Sequence, residues 1–161
     1  MGTLEVLPHP RILLVDDNAE QLKICAAIIK MCGFSVFAAN GAIEAISMMA
    51  QKPECRINLA VLDYNMPVMN GCALAEQLRS ICPELRTILH SGATDIPQDE
   101  MTSIDVLIHK GAGVGRLLAQ IAELSQVGMS PSPIVAVGEE QSAPSHDQQS
   151  SIRSNSSTNS L

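Results

Sequence analysis

Short runs of consecutive apolar residues alternate along this chain with longer stretches in which apolar residues recur every three to four positions. Arg11–Val15 (RILLV) leads into Asp16-Asp17-Asn18. Ala19–Cys32 follows, with Cys25, Ile28, Ile29 and Cys32 at i, i+3, i+4 and i+7. That spacing predicts one stripe of an α-helix, and Gly33 stands where a helix would stop. Ser35–Ala39 predicts a second strand, and Asn40-Gly41 a turn into a helix over Ala42–Met49. Ile57–Leu62 (INLAVL) is a third apolar run that ends on Asp63. A loop with Pro67, Asn70 and Gly71 leads into a helix over Cys72–Ile81, with Leu74, Leu78 and Ile81 on one side. Thr87–His90 and Val106–His109 predict strands four and five, and Val114–Leu124 a last helix with Leu117, Leu118, Ile121 and Leu124 inward.

Five near-continuous apolar strands separated by helical segments predict an α/β fold, a doubly wound five-stranded parallel sheet with helices on both faces. Such sheets carry their sites at the carboxyl ends of the strands. Asp16 and Asp17 end the first strand, Asp63 the third, Ser91 the fourth and Lys110 the fifth. The chemically loaded residues thus fall on one edge.

Composition adds boundaries. A length of 161 residues favours one domain with an appendage. The domain is expected over residues 8–126. From about Val127 to residue 161 the chain turns to Ser, Gln, Asn, Pro and Gly and is expected to be disordered. One apolar run, Ile134–Val137, interrupts that tail. The net charge of −7, with no basic stripe or helix-turn-helix pattern, argues against binding nucleic acid. The five cysteines (Cys25, Cys32, Cys55, Cys72 and Cys82) lack metal-ligand spacing, and four lie in or beside helical segments as small hydrophobes. No stretch has the length of a membrane span or the character of a secretion signal, so a reduced, cytoplasmic setting is expected.

Three carboxylates converging at one point repel each other unless a cation neutralises them. Hard oxygen ligands with room for water and phosphate suit Mg²⁺. Lys110 would supply positive charge to phosphoryl oxygens and Ser91 a hydroxyl donor. Asp63 is then the candidate nucleophile, because carboxylates form acyl phosphates. Singly, each residue has an ordinary explanation as a cap, a turn residue or a solvated charge; their joint occurrence at successive strand ends carries the reading. A phosphatase of the haloacid-dehalogenase kind also uses a strand-end Asp and Mg²⁺. It needs Asp-x-Asp, whereas Asn18 and Asn65 stand at the second position. A phosphate-independent adaptor that keeps only the fold is the other alternative, and the intact set of Asp16, Asp17, Asp63, Ser91 and Lys110 argues against it.

The segments ILLVDDN, LAVLDYNMPVMNG, ILHSGA and VLIHKG resemble the four characteristic blocks of two-component response-regulator receiver domains, over about Arg11 to Gln126. The resemblance implies a flavodoxin-like sheet of strand order 2-1-3-4-5. It also implies a stand-alone phosphorelay module that accepts a phosphoryl group on Asp63 in a Mg²⁺-dependent reaction. Such a module is not an enzyme in the ordinary sense, although it promotes its own phosphorylation and dephosphorylation. By the same resemblance, Asp17 and Asp63 would ligate Mg²⁺ directly, Asp16 through water, and Asn65 through its backbone carbonyl. Ser91 and Lys110 would engage the phosphoryl group. The donor would be a sensor histidine kinase, a histidine phosphotransfer protein or a small acyl phosphate, and an unnamed downstream protein would receive the signal. Two positions depart from the family: Gly111 replaces the usual Pro after the lysine, and Leu107 replaces the aromatic switch residue. The stretch between Ser91 and Lys110 is short and carries Pro97, so its helix is expected to be short or irregular. The switch is therefore expected in the loops after Ser91 and Lys110.

Overall fold

In the computed structural model, which describes residues 10–51 and 56–125, the apolar runs become five strands and the periodic segments four α-helices. In chain order these are β1 (Arg11–Val15), α1 (Ala19–Met31), β2 (Ser35–Ala39), α2 (Ala42–Gln51), β3 (Leu59–Leu62), α3 (Gly71–Ile81), β4 (Arg86–Ser91), β5 (Val106–His109) and α4 (Val114–Ser125). All strand pairs are parallel and the order is β2-β1-β3-β4-β5. That is the order expected for a flavodoxin-like sheet.

Alternation along the strands sorts the core into two layers, because successive side chains point to opposite faces. Leu13, Val15, Ala60, Leu62 and Leu89 pack with Ala42 and Ala45 of α2 and with Leu74, Ala75 and Leu78 of α3. Ile12, Leu14, Leu59, Val61, Ile88 and Ile108 pack with Leu22, Ala26 and Ile29 of α1 and with Leu117 and Ile121 of α4. Both faces are covered, which is why β3 is buried at every position.

The inward stripe of α1 differs from the expected one. Leu22, Ala26 and Ile29 are buried and Cys25 packs beside them, whereas Cys32 is exposed and caps the helix end. Leu22, Cys25, Ala26 and Ile29 also stand at i, i+3, i+4 and i+7, so the helical template fits twice, three residues apart. In the earlier register Leu22, Ala26 and Ile29 pack on Ile12, Leu14 and Val61 of the sheet. Gly33 does end this helix: its N–H donates to the Lys30 carbonyl (3.0 Å) with φ at +91°, a left-handed conformation suited to glycine. In α3, Leu74 and Leu78 are buried as expected, but Ile81 is exposed at the last turn. The third strand begins at Leu59 rather than Ile57. Asn58 bridges neighbouring strands, its N–H donating to the Arg11 carbonyl and its own carbonyl accepting from Arg86.

Between β4 and β5 the chain makes only a 3₁₀ segment, Gln98–Ser103, as the shortness of this stretch and Pro97 foretold. Ile96 is buried in the first core layer, and Met101 and Ile104 pack against it. After β5, Lys110–Ala112 forms a second 3₁₀ turn that ends at Gly113. Among the described residues no peptide is cis, and no helix is long and apolar enough to cross a membrane. The domain boundaries at 8 and 126, the tail 127–161 with Ile134–Val137, and Cys55 lie outside the described residues.

Candidate functional site

Parallel pairing aligns Val15 with Leu62, and the Asp63 N–H donates to the Val15 carbonyl at 2.9 Å. The residues that follow β1 and β3 are therefore neighbours. Carboxylate oxygens of Asp16, Asp17 and Asp63 all lie within 4.8 Å of one another. Asp16 and Asp63 are each only 8% exposed, while Asp17 is exposed.

Lys110, at the end of β5, reaches into this group. Its Nζ lies 2.9 Å from Asp16 Oδ2, 2.9 Å from Asp63 Oδ1 and 3.0 Å from Gln21 Oε1. An ammonium has three N–H donors, and all three are engaged. Burial would lower the Lys110 pKa, but the bonds to Asp16 and Asp63 outweigh it and the ammonium is held charged. Burial raises the Asp63 pKa above its usual value, against the Lys110 contact and with help from the Asp16 and Asp17 charges.

The loop around each carboxylate is built to hold it. Asp16 Oδ1 accepts from the Asn18 N–H (2.9 Å). Asn18 in turn caps α1, its Oδ1 accepting from the N–H groups of Glu20 and Gln21 at 3.1 Å each. Asn18 is thus occupied as a helix cap. After Asp63, the Tyr64 carbonyl accepts from the Gly71 N–H (3.0 Å), and Asn70 Oδ1 caps α3 through the Ala73 N–H (2.9 Å). Asn65 lies exposed in this loop. Val68 has φ at +76°, unfavourable for a β-branched residue, where the loop turns back towards α3.

Ser91 is fully buried at the end of β4, and its Oγ accepts from the Ala93 N–H at 3.0 Å. It makes no hydrogen bond to the carboxylates, so the structure brings Asp16, Asp17, Asp63 and Lys110 together and leaves Ser91 turned into its own loop. Beside Lys110 opens a cavity of about 300 Å³, with Leu14, Leu22, Cys25 and Val61 beneath and His90 on its wall. Burial pushes the His90 pKa down, with the Lys110 charge adding to the effect, and pushes the Cys25 thiol up.

Three further residues join the site that the motifs did not reveal. Gln21 holds Lys110, His90 walls the cavity, and Glu100 of the 3₁₀ segment accepts from Tyr64 Oη and Asn70 Nδ2 at 3.0 Å each. None lies in a distinctive spacing. Gln21 stands five residues after Asp16, and His90 directly precedes Ser91 within ILHSGA, but their places beside Lys110 and the cavity, like the contacts of Glu100, are made only in the folded chain.

The donor set fits a divalent cation of the hard type. Three carboxylates face one ammonium, leaving two negative charges unbalanced, all on oxygen. Asp17 makes no side-chain hydrogen bond among the described residues and has its oxygens free for a ligand.

Comparison with known proteins agrees with this arrangement. The response regulator MprA of Mycobacterium leprae is 32% identical over 118 residues, covering 71% of this chain and 50% of that protein. Histidine kinase 3 of Arabidopsis thaliana is 32% identical over 82 residues, covering 51% of this chain and 8% of that protein. The chain thus spans half or less of the length of these curated relatives. Among solved structures, the CheY-like receiver domain protein of Methanospirillum hungatei superposes with a TM-score of 0.65 at 26% identity, covering 73% of this chain and 94% of that one. The response regulator TrrA of Thermotoga maritima, solved in complex with Mg²⁺ and beryllofluoride, gives 0.64 at 22% identity, covering 71% and 98%. The profile of the family described as the response regulator receiver domain matches residues 12–122. With a sheet of order 2-1-3-4-5 and an acidic cluster faced by one lysine at its carboxyl edge, this chain belongs to the response regulator receiver domain family.

Proposed function

We propose that the protein accepts a phosphoryl group on Asp63 and uses it to switch a partner protein. The observation that carries this is the meeting of Asp16, Asp17 and Asp63 with a single lysine whose Nζ lies 2.9 Å from both Asp16 and Asp63. Phosphoryl transfer needs positioning and charge neutralisation more than covalent machinery. Here Lys110 favours the ionised form of Asp63 that attack requires, and its bond to Asp63 can pass to a phosphoryl oxygen once the group is transferred. A carboxylate oxygen of Asp63 bonds to phosphorus while the donor's bond to phosphorus breaks, its electron pair leaving with the donor. The product is an acyl phosphate whose hydrolysis returns Asp63 and inorganic phosphate.

Mg²⁺, held by Asp17 and Asp63 with Asp16 acting through water and the Asn65 carbonyl completing the set, would offset charge on the transferring group. Asp16 already has both oxygens engaged, by the Asn18 N–H and by Lys110, which supports its indirect role. TrrA, solved in complex with Mg²⁺ and beryllofluoride, supports Mg²⁺ as the ion. Ser91 would turn from the Ala93 N–H to the phosphoryl group once it is in place.

The donor is a phosphohistidine on a sensor kinase or phosphotransfer protein. TrrA has been solved in complex with the histidine kinase ThkA, and Histidine kinase 3 contains a segment similar to this chain. Ile24, 56% exposed on α1 beside the pocket, offers such a donor an apolar contact.

Incubating the full chain with a small acyl phosphate and Mg²⁺, followed by intact-mass measurement, tests the proposal. One phosphoryl group is expected on the wild type and none on Asp63→Asn. Undiminished incorporation in the variant would remove Asp63 from the role.

A further inference from the structure

The segment between β4 and β5 is fixed at both ends and tied in the middle by polar bonds. At its start, Ser91 Oγ accepts from the Ala93 N–H (3.0 Å). At its end, the Thr87 hydroxyl donates to the Ser103 carbonyl at 2.5 Å. Between them Glu100 Oε2 accepts from both Tyr64 Oη and Asn70 Nδ2, each at 3.0 Å. Tyr64 directly follows Asp63, and Asn70 caps α3. One carboxylate oxygen thus joins both ends of the phosphoacceptor loop to the segment that follows Ser91. A hydrogen bond to a charged acceptor is stronger than a neutral one, and all three residues are half-buried. Two other side chains of the segment reach α3: Thr102 Oγ1 meets Glu76 Oε1 at 3.3 Å, an exposed and longer contact, and Asp105 meets Arg79 Nη2 at 2.6 Å at the far end, away from Ser91.

We infer that Glu100 is a positioning residue which holds the segment after Ser91 in its resting arrangement and must release Tyr64 when Ser91 turns towards a phosphoryl group on Asp63. This rests on the phosphoacceptor reading and adds to it the contact that opposes the switch. When Ser91 Oγ turns away, the Ala93 N–H loses its acceptor and the backbone of Gly92 and Ala93 is released. A Cβ on Gly92 would meet nothing within 4 Å, so the backbone there is open to movement. The apolar contacts of Ile96, Met101 and Ile104 are non-directional and tolerate a shift. The two bonds to Glu100 are directional and do not. A ligand shifts such an equilibrium only by its differential affinity for the two states. Removing a contact made only in the resting state therefore increases apparent affinity for the phosphoryl group.

A purely structural role would act differently: loosening the loop around Asp63 would weaken binding. The test is titration of the full chain with beryllofluoride in the presence of Mg²⁺, followed by calorimetry, for wild type, Tyr64→Phe, Glu100→Ala and the double variant. Melting of the ligand-free proteins is measured alongside. Tyr64→Phe and Glu100→Ala are each expected to bind about three- to tenfold more tightly than wild type while melting no higher. The double variant should add little to Glu100→Ala, because the Tyr64 bond is already lost there. Tyr64→Phe keeps the ring and its packing, so it decides the matter should Glu100→Ala fail to fold. Unchanged or weaker binding in Tyr64→Phe overturns the inference. Absence of binding by the wild type would overturn the phosphoacceptor reading and this one with it.

Discussion

Gly71 is pressed against Asp63: a Cβ at Gly71 would lie 2.7 Å from Leu89 Cδ1 and closer still to the Asp63 carbonyl oxygen. No side chain fits between the start of α3 and the Asp63 backbone. Gly71→Ala must push α3 away or displace Asp63, and neither neighbour can yield freely because Leu89 is fully buried. The substitution is expected to cost about 1–3 kcal/mol, the usual range for overpacking, and to slow phosphorylation of Asp63. Denaturant unfolding and phosphate incorporation measure the two effects. Wild-type behaviour in both would show that the helix start is free to move.

The position of this glycine after Asn70 was readable from the motif, but its reason was not, since Leu89 approaches from a different strand. The same division runs through the molecule. Asp16, Asp63 and Lys110 were legible because each follows an apolar run, and parallel strands bring their ends together whatever lies between. The inward face of α1 was misread by three residues, because both Cys25-Ile28-Ile29-Cys32 and Leu22-Cys25-Ala26-Ile29 satisfy helical spacing. Packing against Leu14 and Val61 of the sheet, which the helix's own spacing does not show, goes with the second. Glu100 left no trace in the local pattern, as its partners stand 30 and 36 residues earlier.

Asp17 is the exposed carboxylate of the cluster and makes no side-chain hydrogen bond among the described residues, whereas Asp16 is committed to Asn18 and Lys110. Mg²⁺ affinity is therefore expected to fall at least about tenfold in Asp17→Ala. Titration of the ion into both proteins, followed by NMR, checks this. Equal affinities would place the ion away from Asp17.

The Asp63 carboxyl has its pKa raised above 3.8 in the folded protein, chiefly by burial. The folded state thus holds this proton more tightly than the unfolded chain does. That contribution to stability is fully present below about 3.8 and is lost as pH rises through the raised folded value. At neutral pH the ionised Asp63 works against folding in the metal-free protein. Asp63→Asn keeps the shape, removes the charge and leaves Lys110 its bonds to Asp16 and Gln21. It is expected to melt higher than wild type at pH 7 without Mg²⁺, and the gap should close on acidification. A lower melting temperature for the variant at neutral pH would show that the Lys110 contact outweighs burial.

At the opposite edge of the sheet, Asp105 gathers a separate network. Its Oδ2 accepts from Arg79 Nη2 (2.6 Å) and the Thr87 N–H (2.7 Å), and Arg86 Nη1 lies 3.5 Å from Oδ1. Thr87 is fully buried, so losing the carboxylate leaves its N–H without an acceptor. Asp105→Ala is expected to destabilise the protein by about 2–4 kcal/mol while leaving the phosphorylation rate of the folded protein unchanged. Urea unfolding measures the first and acyl-phosphate labelling the second. A loss below about 0.5 kcal/mol would mean that water replaces the network.

Leu107 occupies the place of the family's aromatic switch, half-buried against the cluster that holds Met101 and Ile104. It pairs in register with Leu89 of β4 and has neither a ring nor a hydroxyl to reposition. Any readout of phosphorylation must then fall where the backbone can change. Gly92, Gly111 and Gly113 flank Ser91 and Lys110, the two residues proposed to touch the phosphoryl group, and a Cβ at any of them would meet nothing within 4 Å. Gly113 already sits at φ +84°, open to glycine at little cost. Hydrogen exchange with and without beryllofluoride and Mg²⁺ is expected to change most over Gly92–Thr102 and Gly111–Gly115, and little over Val106–His109. The strand is held by its pairing with β4, whereas the first loop is released once Ser91 lets go of Ala93 and Glu100 of Tyr64. If the largest change instead centred on Leu107 with both loops unaltered, the switch would lie in the strand, and Leu107 would do the work of the missing aromatic ring.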